Sequence, residues 1–247
     1  MIKAVVFDLD NTLLDFMKMK DTSVRAAVSS MIFSGLEIDK DEAINKIYSI
    51  YDDKGYEYQE VFDLFLKDTI GKVDYKILAS GIISYKKAKE SSLMLYKNVN
   101  ETLLSLTKMG LKLAVISDAP SREAWVRICT VNLEHTFDSV ITLHDKGIHK
   151  PSPEPFKEAI KSLEVKASET VMVGDWPERD IIGAKNVGMK TAFAKYGDTF
   201  NTKHSGADYV LEDISDLIDI INKAKVFTTT DNAVGEFDIV ISLSARR

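Results

Sequence analysis

Apolar runs of strand length recur along the chain, and many are rich in β-branched residues on both faces. Such runs are typical of central strands in a parallel sheet that helices cover on both sides. Segments with apolar residues at helical spacing lie between them, and the alternation predicts an α/β fold with a doubly wound, Rossmann-like parallel sheet. The predicted strands are 2–7, 111–116, 137–142, 170–173, 191–194 and 209–211, and the clearest predicted helices are 122–132, 154–163, 179–187 and 215–223.

One long segment, from about residue 15 to residue 96, lacks this alternation. Its pattern is helical, as Val61 and Phe65 illustrate, and it contains none of the chain's 5 prolines. We therefore predict that 15–96 is a helical domain inserted into a core formed by 1–14 and 97–225. Its aromatic residues are expected to fill its own interior: Tyr48, Tyr51, Tyr56, Tyr58, Phe62 and Phe65.

The C-terminal extension, 226–247, has a third pattern. Phe237, Ile239, Ile241 and Leu243 occupy every second position, which is typical of a half-buried strand. The extension could form an edge strand of the sheet, pair with another chain, or be an addition foreign to the fold.

The composition excludes several classes of function for this chain. The chain has 247 residues, 45% hydrophobic and 28% charged, as expected for a globular protein with its own core. The net charge of −6 argues against nucleic acid as the main ligand. A single cysteine, Cys129, excludes an internal disulfide and a Cys-rich zinc site. The apolar runs are too short to cross a membrane, and the start at Met1 lacks a signal-peptide pattern, so we expect a cytoplasmic protein.

Two carboxylates, Asp8 and Asp10, directly follow the first predicted strand. Ligands of α/β sheets gather at the carboxyl ends of the strands, so we expect a functional site there. Carboxylates this close repel each other, and a bound divalent cation commonly keeps both ionised. A similar pair, Asp39 and Asp41, lies at a predicted helix start, where a capping role is expected instead.

Three further groups follow later strands or precede helices. Ser117 and Asp118 follow the second strand, where a hydroxyl and backbone N–H groups can hold a phosphate oxygen. Lys150 lies in a proline-rich loop that restricts its backbone. Gly174 and Asp175 follow the 170–173 strand, with Asp180 five residues after Asp175. Each group alone is a weak signal, because a helix cap or a solvated charge would explain it.

In this order, the four groups strongly resemble the haloacid dehalogenase superfamily. The first motif is the run from Asp8 to Thr12, and Ser117, Lys150 and Gly174-Asp175 with Asp180 match the other three. The resemblance covers roughly residues 1–223. The insertion is similar to the helical cap that some members carry between motifs one and two. Such a cap is expected to close over the substrate, which favours small molecules.

The resemblance implies a role for each carboxylate. Asp8 is the expected nucleophile, which attacks phosphorus to form an aspartyl-phosphate. Asp10 is the expected general acid for the leaving alkoxide, and then the base that activates water. The expected Mg²⁺ ligands are Asp8, the backbone carbonyl of Asp10, and Asp175. Asp180 would orient Lys150 or hold a metal-bound water.

The resemblance also implies a phosphate-binding set that comprises Ser117, Asp118, Lys150 and Thr12. Thr12 would in addition brace the first loop. Many relatives have Asn where this chain has Asp118. The backbone N–H at Asp118 can still serve, but the extra negative charge is expected to weaken anion binding.

The sequence therefore predicts a Mg²⁺-dependent phosphatase for a small phosphorylated metabolite, and members similar to phosphoglycolate and glyceraldehyde 3-phosphate phosphatases suggest the substrate. Such an enzyme is expected as a monomer or homodimer without nucleic-acid or membrane partners. Three alternatives stay open: a phosphomutase, a 2-haloacid dehalogenase, and a non-catalytic binding scaffold. Dehalogenases typically lack the acid/base residue at the position of Asp10, because a halide needs no proton.

Overall fold

The computed structural model describes residues 1–143 and 148–223. The predicted C-terminal strand pattern at 226–247 lies outside the described residues. The chain divides into two compact units. One comprises Met1–Leu14 and the described residues from Leu95 onward, and the other is Asp15–Met94.

The first unit contains a six-stranded, all-parallel sheet, which confirms the predicted fold class. The strand order is β3-β2-β1-β4-β5-β6, so β1 lies between β2 and β4. Every residue of β1 and β4 is buried, as the apolar character on both faces of these strands predicts. The strands are β1 Ala4–Phe7, β2 Lys112–Pro120, β3 Ser139–Leu143, β4 Thr170–Gly174, β5 Lys190–Ala194 and β6 Tyr209–Leu211.

The second unit is helical, and its helices are α1 Phe16–Phe33, α2 Lys40–Lys54, α3 Val61–Ile70 and α4 Tyr75–Ser92. The six aromatic residues singled out above pack into its core, as predicted. Asp39 caps α2, because its carboxylate accepts the N–H groups of Asp41 and Glu42 at 2.9 and 3.0 Å. The Asp39–Asp41 pair thus has the predicted capping role.

Helices cover the sheet of the first unit: α5 Val99–Lys108, α6 Ser121–Thr130, α7 Pro153–Ser162 and α8 Ile182–Asn186. Residues 216–223 are helical as well. Phe156 of α7 and Ala184 of α8 join a buried cluster with Val6, Ile116 and Met172 from three adjacent strands. None of the helices in the described parts of the chain is both long and apolar enough to cross a bilayer.

Several boundaries differ by one or two residues from the sequence prediction, and two larger differences bear on the candidate site. β2 continues beyond residue 116 to Pro120, because it stays paired with β3, with an irregularity between Ser117 and Pro120. The predicted helix 179–187 begins instead as a π-helical turn, Pro177–Ile181, which leads into α8. Both differences lie beside the candidate site, where loop geometry overrides the simple periodic pattern.

Candidate active site

The predicted site residues converge at the carboxyl ends of three adjacent strands. Asp8 follows β1, Ser117 lies in β2, and Asp175 follows β4. All three are buried, with exposed fractions of 8%, 3% and 4%. The strand order explains the convergence, since β1 lies between the other two.

Three buried carboxylates form one cluster. Asp8, Asp175 and Asp180 each place a carboxylate oxygen within 4.8 Å of the others. The hydroxyl of Thr12, a residue of the predicted phosphate-binding set, donates to Asp175 at 3.2 Å. Thr12 therefore links the loop after β1 to the loop after β4.

Lys150 lies at the centre of this cluster and is only 4% exposed. Its ammonium group donates to the Asp8 carboxylate, to Asp180 Oδ1 at 2.6 Å and to the Ile116 carbonyl at 3.2 Å. The three acceptors match the three donors of an ammonium group. Lys150 thus connects β1, β2 and the turn after β4.

Gly174 allows Asp180 to approach the strand end. A Cβ at Gly174 would lie 2.3 Å from Asp180 Oδ2, which is a steric clash. Glycine avoids the clash because it has no Cβ. Asp180 also accepts the N–H of Trp176 at 3.1 Å. The Gly174-Asp175 sequence therefore allows two carboxylates, Asp175 and Asp180, to share one small space.

Burial and neighbouring charges shift the pKa values of this cluster. Burial raises the pKa of Asp8 from 3.8 to about 8, with Asp180 and Asp10 adding to the rise and Lys150 opposing it. Burial also raises the pKa of Asp175 well above its usual value, and the charges of Asp8 and Asp180 add to this. For Lys150, burial acts to lower the pKa, but the carboxylates Asp180 and Asp8 outweigh it and raise the pKa.

The cluster fits a divalent cation. Hard oxygen ligands at short mutual distances are the donor set that Mg²⁺ takes in proteins. The raised pKa values of Asp8 and Asp175 report a free-energy cost of holding them ionised, which a bound cation would remove. The observed cluster includes Asp180, whereas the predicted ligands were Asp8, the backbone carbonyl of Asp10, and Asp175.

Asp10 has a partner that the sequence analysis missed. Arg127 on α6 is 1% exposed, and its Nη1 donates to Asp10 Oδ2 at 2.5 Å. Arg127 lies on the buried face of α6, between Ala124 and Ile128. A charged residue on such a face needs an opposite charge nearby.

Asp118 contacts two distant parts of the chain, whereas Ser117 contacts a residue next to it in sequence. Asp118 accepts the backbone N–H of Lys150 at 3.0 Å and Nη1 of Arg179 at 3.2 Å. The Ser117 hydroxyl accepts the N–H of Ala119 at 3.2 Å. The side chain of Asp118 thus holds the Lys150 loop, a function that its sequence position did not suggest.

Comparison with known proteins identifies the family of this chain. Residues 5–194 match the haloacid dehalogenase-like hydrolase family. The chain belongs to this family. It is 40% identical over 228 residues to a glyceraldehyde 3-phosphate phosphatase of Methanocaldococcus jannaschii, covering 91% of this chain and 99% of that protein. It is 34% identical over 225 residues to a Pyrococcus furiosus protein of the same name, covering 90% of this chain and 94% of the relative.

Solved structures agree with the fold of this family member. A HAD phosphatase from Thermococcus onnurineus superposes with a TM-score of 0.66 at 27% identity, covering 89% of this chain and 98% of that chain. A Thermotoga maritima protein described as a β-phosphoglucomutase superposes with a TM-score of 0.70 at 20% identity, covering 90% and 99% of the two chains. At that identity the likeness concerns the fold alone. The predicted family is confirmed, and the individual residue roles remain predictions.

Proposed function

We propose that this protein is a Mg²⁺-dependent phosphatase that hydrolyses a small phosphorylated metabolite, with glyceraldehyde 3-phosphate as the first substrate to test. The main support is one cluster in which the expected nucleophile, Asp8, contacts Lys150 and lies beside Asp175 and Asp180. The names of the most similar relatives support the substrate.

In the first step, an oxygen of Asp8 attacks phosphorus and the bond to the ester oxygen breaks. The leaving alkoxide takes a proton from Asp10, which leaves the free alcohol and an aspartyl-phosphate. In the second step, Asp10 accepts a proton from water as the water oxygen attacks phosphorus. Inorganic phosphate and free Asp8 result, and Asp10 is again protonated.

Lys150 has two tasks in this scheme. Its ammonium group fixes the Asp8 carboxylate and partly offsets the negative charge of the transferring phosphoryl group. Bound Mg²⁺, held by Asp8, Asp175 and the Asp10 carbonyl, would supply the remaining positive charge. Ser117 and the backbone N–H of Asp118 would hold phosphoryl oxygens.

The first experiment compares the wild type with Asp8→Asn on p-nitrophenyl phosphate and glyceraldehyde 3-phosphate, each with Mg²⁺ and with a chelator. We expect turnover only when Asp8 and Mg²⁺ are both present, and a loss of at least about a thousandfold in Asp8→Asn. The matched control is Asp68→Asn, an exposed aspartate of α3, which should behave as the wild type.

Full activity of Asp8→Asn, or activity that resists the chelator, would contradict the proposal. Conversion of a sugar phosphate to an isomer without release of phosphate would identify a mutase instead. Release of halide from a 2-haloacid would identify a dehalogenase. Each outcome is read from the product, so the three activities are distinguished in one set of assays.

A further inference from the structure

Asp118 brings a negative charge to the elements proposed to bind the substrate's phosphate. Its carboxylate lies next to Ser117 along β2 and accepts the backbone N–H of Lys150 at 3.0 Å. The side chain of Asp118 is only 15% exposed, so water screens its charge poorly. An uncompensated carboxylate here would repel a phosphate anion.

Arg179 lies against this carboxylate. Its Nη1 donates to Asp118 Oδ2 at 3.2 Å, while the backbone N–H of Lys150 donates to the other oxygen, Oδ1. The Arg179 guanidinium carbon is 3.8 Å from the centre of a Trp176 ring, whose other neighbour is the Phe200 ring at 4.6 Å. Stacking on an aromatic ring restricts the planar guanidinium to one orientation.

The charges of the site support a compensating role for Arg179. When all of them are ionised, as a bound cation would keep them, five carboxylates and three cationic side chains leave a net charge of −2 among these described residues, the charge that one divalent cation neutralises. Without Arg179 the net charge would be −3. The carboxylates are those of Asp8, Asp10, Asp118, Asp175 and Asp180, and the cations are Lys150, Arg127 and Arg179.

We propose that Arg179 is a positioning residue that cancels the charge of Asp118 beside the phosphate site, and thereby sets the affinity for the substrate's phosphate group. The proposal rests on the proposed function for its substrate class.

The experiment measures KM and kcat for p-nitrophenyl phosphate and the binding of inorganic phosphate by calorimetry, both at saturating Mg²⁺. In Arg179→Met we expect KM and the phosphate dissociation constant to rise about three- to tenfold, more than kcat changes. In the double variant Asp118→Asn with Arg179→Met, both constants should return to within about twofold of the wild type. Arg179→Lys should keep most of the affinity.

The matched control is Arg122→Met, which removes an equal charge from an arginine of α6 whose side chain is 89% exposed. It should bind phosphate as the wild type does. If Arg179→Met does not fold, the phosphate affinity of Asp118→Asn alone still tests the proposal. It leaves the Arg179 charge uncompensated, so phosphate should bind more tightly, and weaker binding would overturn the proposal.

An unchanged phosphate affinity in Arg179→Met would overturn the proposal. So would a loss that Asp118→Asn does not rescue, since Arg179 would then act only by supporting the Trp176 ring. Calorimetry does not require turnover, so failure of the proposed function is seen separately. If the wild type has no phosphatase activity but the variants change the phosphate affinity as expected, the proposed function is refuted and the role of Arg179 is retained.

Discussion

Arg127 has the largest side chain among the fully buried residues described, and its partner is the expected acid/base residue Asp10. The ion pair joins α6 to the loop after β1. The pair is partly buried, since the Asp10 side chain is 22% exposed, and such a pair stabilises a protein only when its geometry is good. We expect Arg127 to hold the Asp10 carboxylate in the position needed for proton transfer.

Replacement of Arg127 by methionine should therefore affect substrates unequally. A poor leaving group needs the proton from Asp10, whereas p-nitrophenolate leaves well without it. We expect kcat/KM of Arg127→Met to fall about ten- to a hundredfold on an alkyl phosphate such as glyceraldehyde 3-phosphate, and clearly less on p-nitrophenyl phosphate. Steady-state kinetics with both substrates measures the ratio.

Asp10→Asn provides the reference, since it removes the proton donor itself. Arg127→Lys should recover part of the lost activity. Adding Arg127→Met to Asp10→Asn should not increase the leaving-group dependence further. An equal loss on both substrates would mean that Arg127 serves only the stability of the fold.

The sequence indicated some of these residues and concealed others. Asp8, Ser117 and Asp175 could be located because each lies at a strand end that local apolar pattern predicts. Arg127 could not, because its partner is 117 residues away and an arginine in a helix usually faces water. The contact between Asp118 and Arg179 spans 61 residues and was hidden for the same reason.

The turn after β5 supports the loop that carries the first motif. It is a short 3-10 helix, Lys195–Gly197, and its Tyr196 hydroxyl donates to the Thr12 carbonyl at 2.8 Å. A Cβ at Gly197 would lie 1.6 Å from the Asn11 carbonyl oxygen. The two backbones therefore touch, and only glycine permits the contact.

Gly197→Ala should displace the loop after β1. We expect at least about a tenfold loss of kcat, because small misplacement of reacting groups is costly, and a loss of about 1–3 kcal/mol in the free energy of unfolding. Chemical denaturation and steady-state kinetics measure the two effects.

Gly206→Ala is the matched control for this loop prediction. Gly206 has a φ of +68° but open space around its Cβ direction, so alanine there should cost stability while activity is kept. An active Gly197→Ala variant would show that the turn after β5 does not set the position of the first loop.

Sequence pattern predicted the type of the elements near the site better than their ends. The extension of β2 to Pro120 depends on pairing with β3, and the π-helical turn at Pro177–Ile181 carries Asp180, whose carboxylate accepts the Lys150 ammonium at 2.6 Å. Both features result from tertiary contacts, to which a local periodicity is blind.

For the molecule as a whole, the acidic cluster should make stability depend on pH and on Mg²⁺ together. The pKa of Asp8 is raised from 3.8 to about 8, so between these values the folded protein without metal holds a proton that the unfolded chain has lost. Its stability should therefore fall as pH rises through this range. The raised pKa of Asp175 acts in the same direction.

Mg²⁺ must displace these protons to bind, so it should stabilise the protein more as pH rises. We expect the increase in Tm caused by saturating Mg²⁺ to be larger at pH 8 than at pH 5. Thermal melts with and without Mg²⁺ measure the difference at each pH. In Asp8→Asn the pH dependence of this difference should shrink, and a Mg²⁺ effect that decreases with pH would contradict the assignment of the cluster.

Part of the whole architecture could be predicted from the sequence. Alternating strand and helix patterns predicted the parallel sheet, and the structure confirms it. The order of the strands was not predicted, because local pattern carries no information on which strands become neighbours. Yet that order brings Asp8 next to Asp175 and so creates the site.

The central place of β1 has a consequence for how the protein is made. β1 is synthesised before both of its neighbours, β2 and β4, and β4 ends only at Gly174. Until then, a fully apolar strand has one edge without its native neighbour, which is the condition under which nascent chains aggregate or need chaperones. A nascent chain that stops before β4 carries Asp8, the expected nucleophile, but lacks Asp175 and Asp180. The candidate site is therefore completed late in synthesis, when β1 receives its second neighbour.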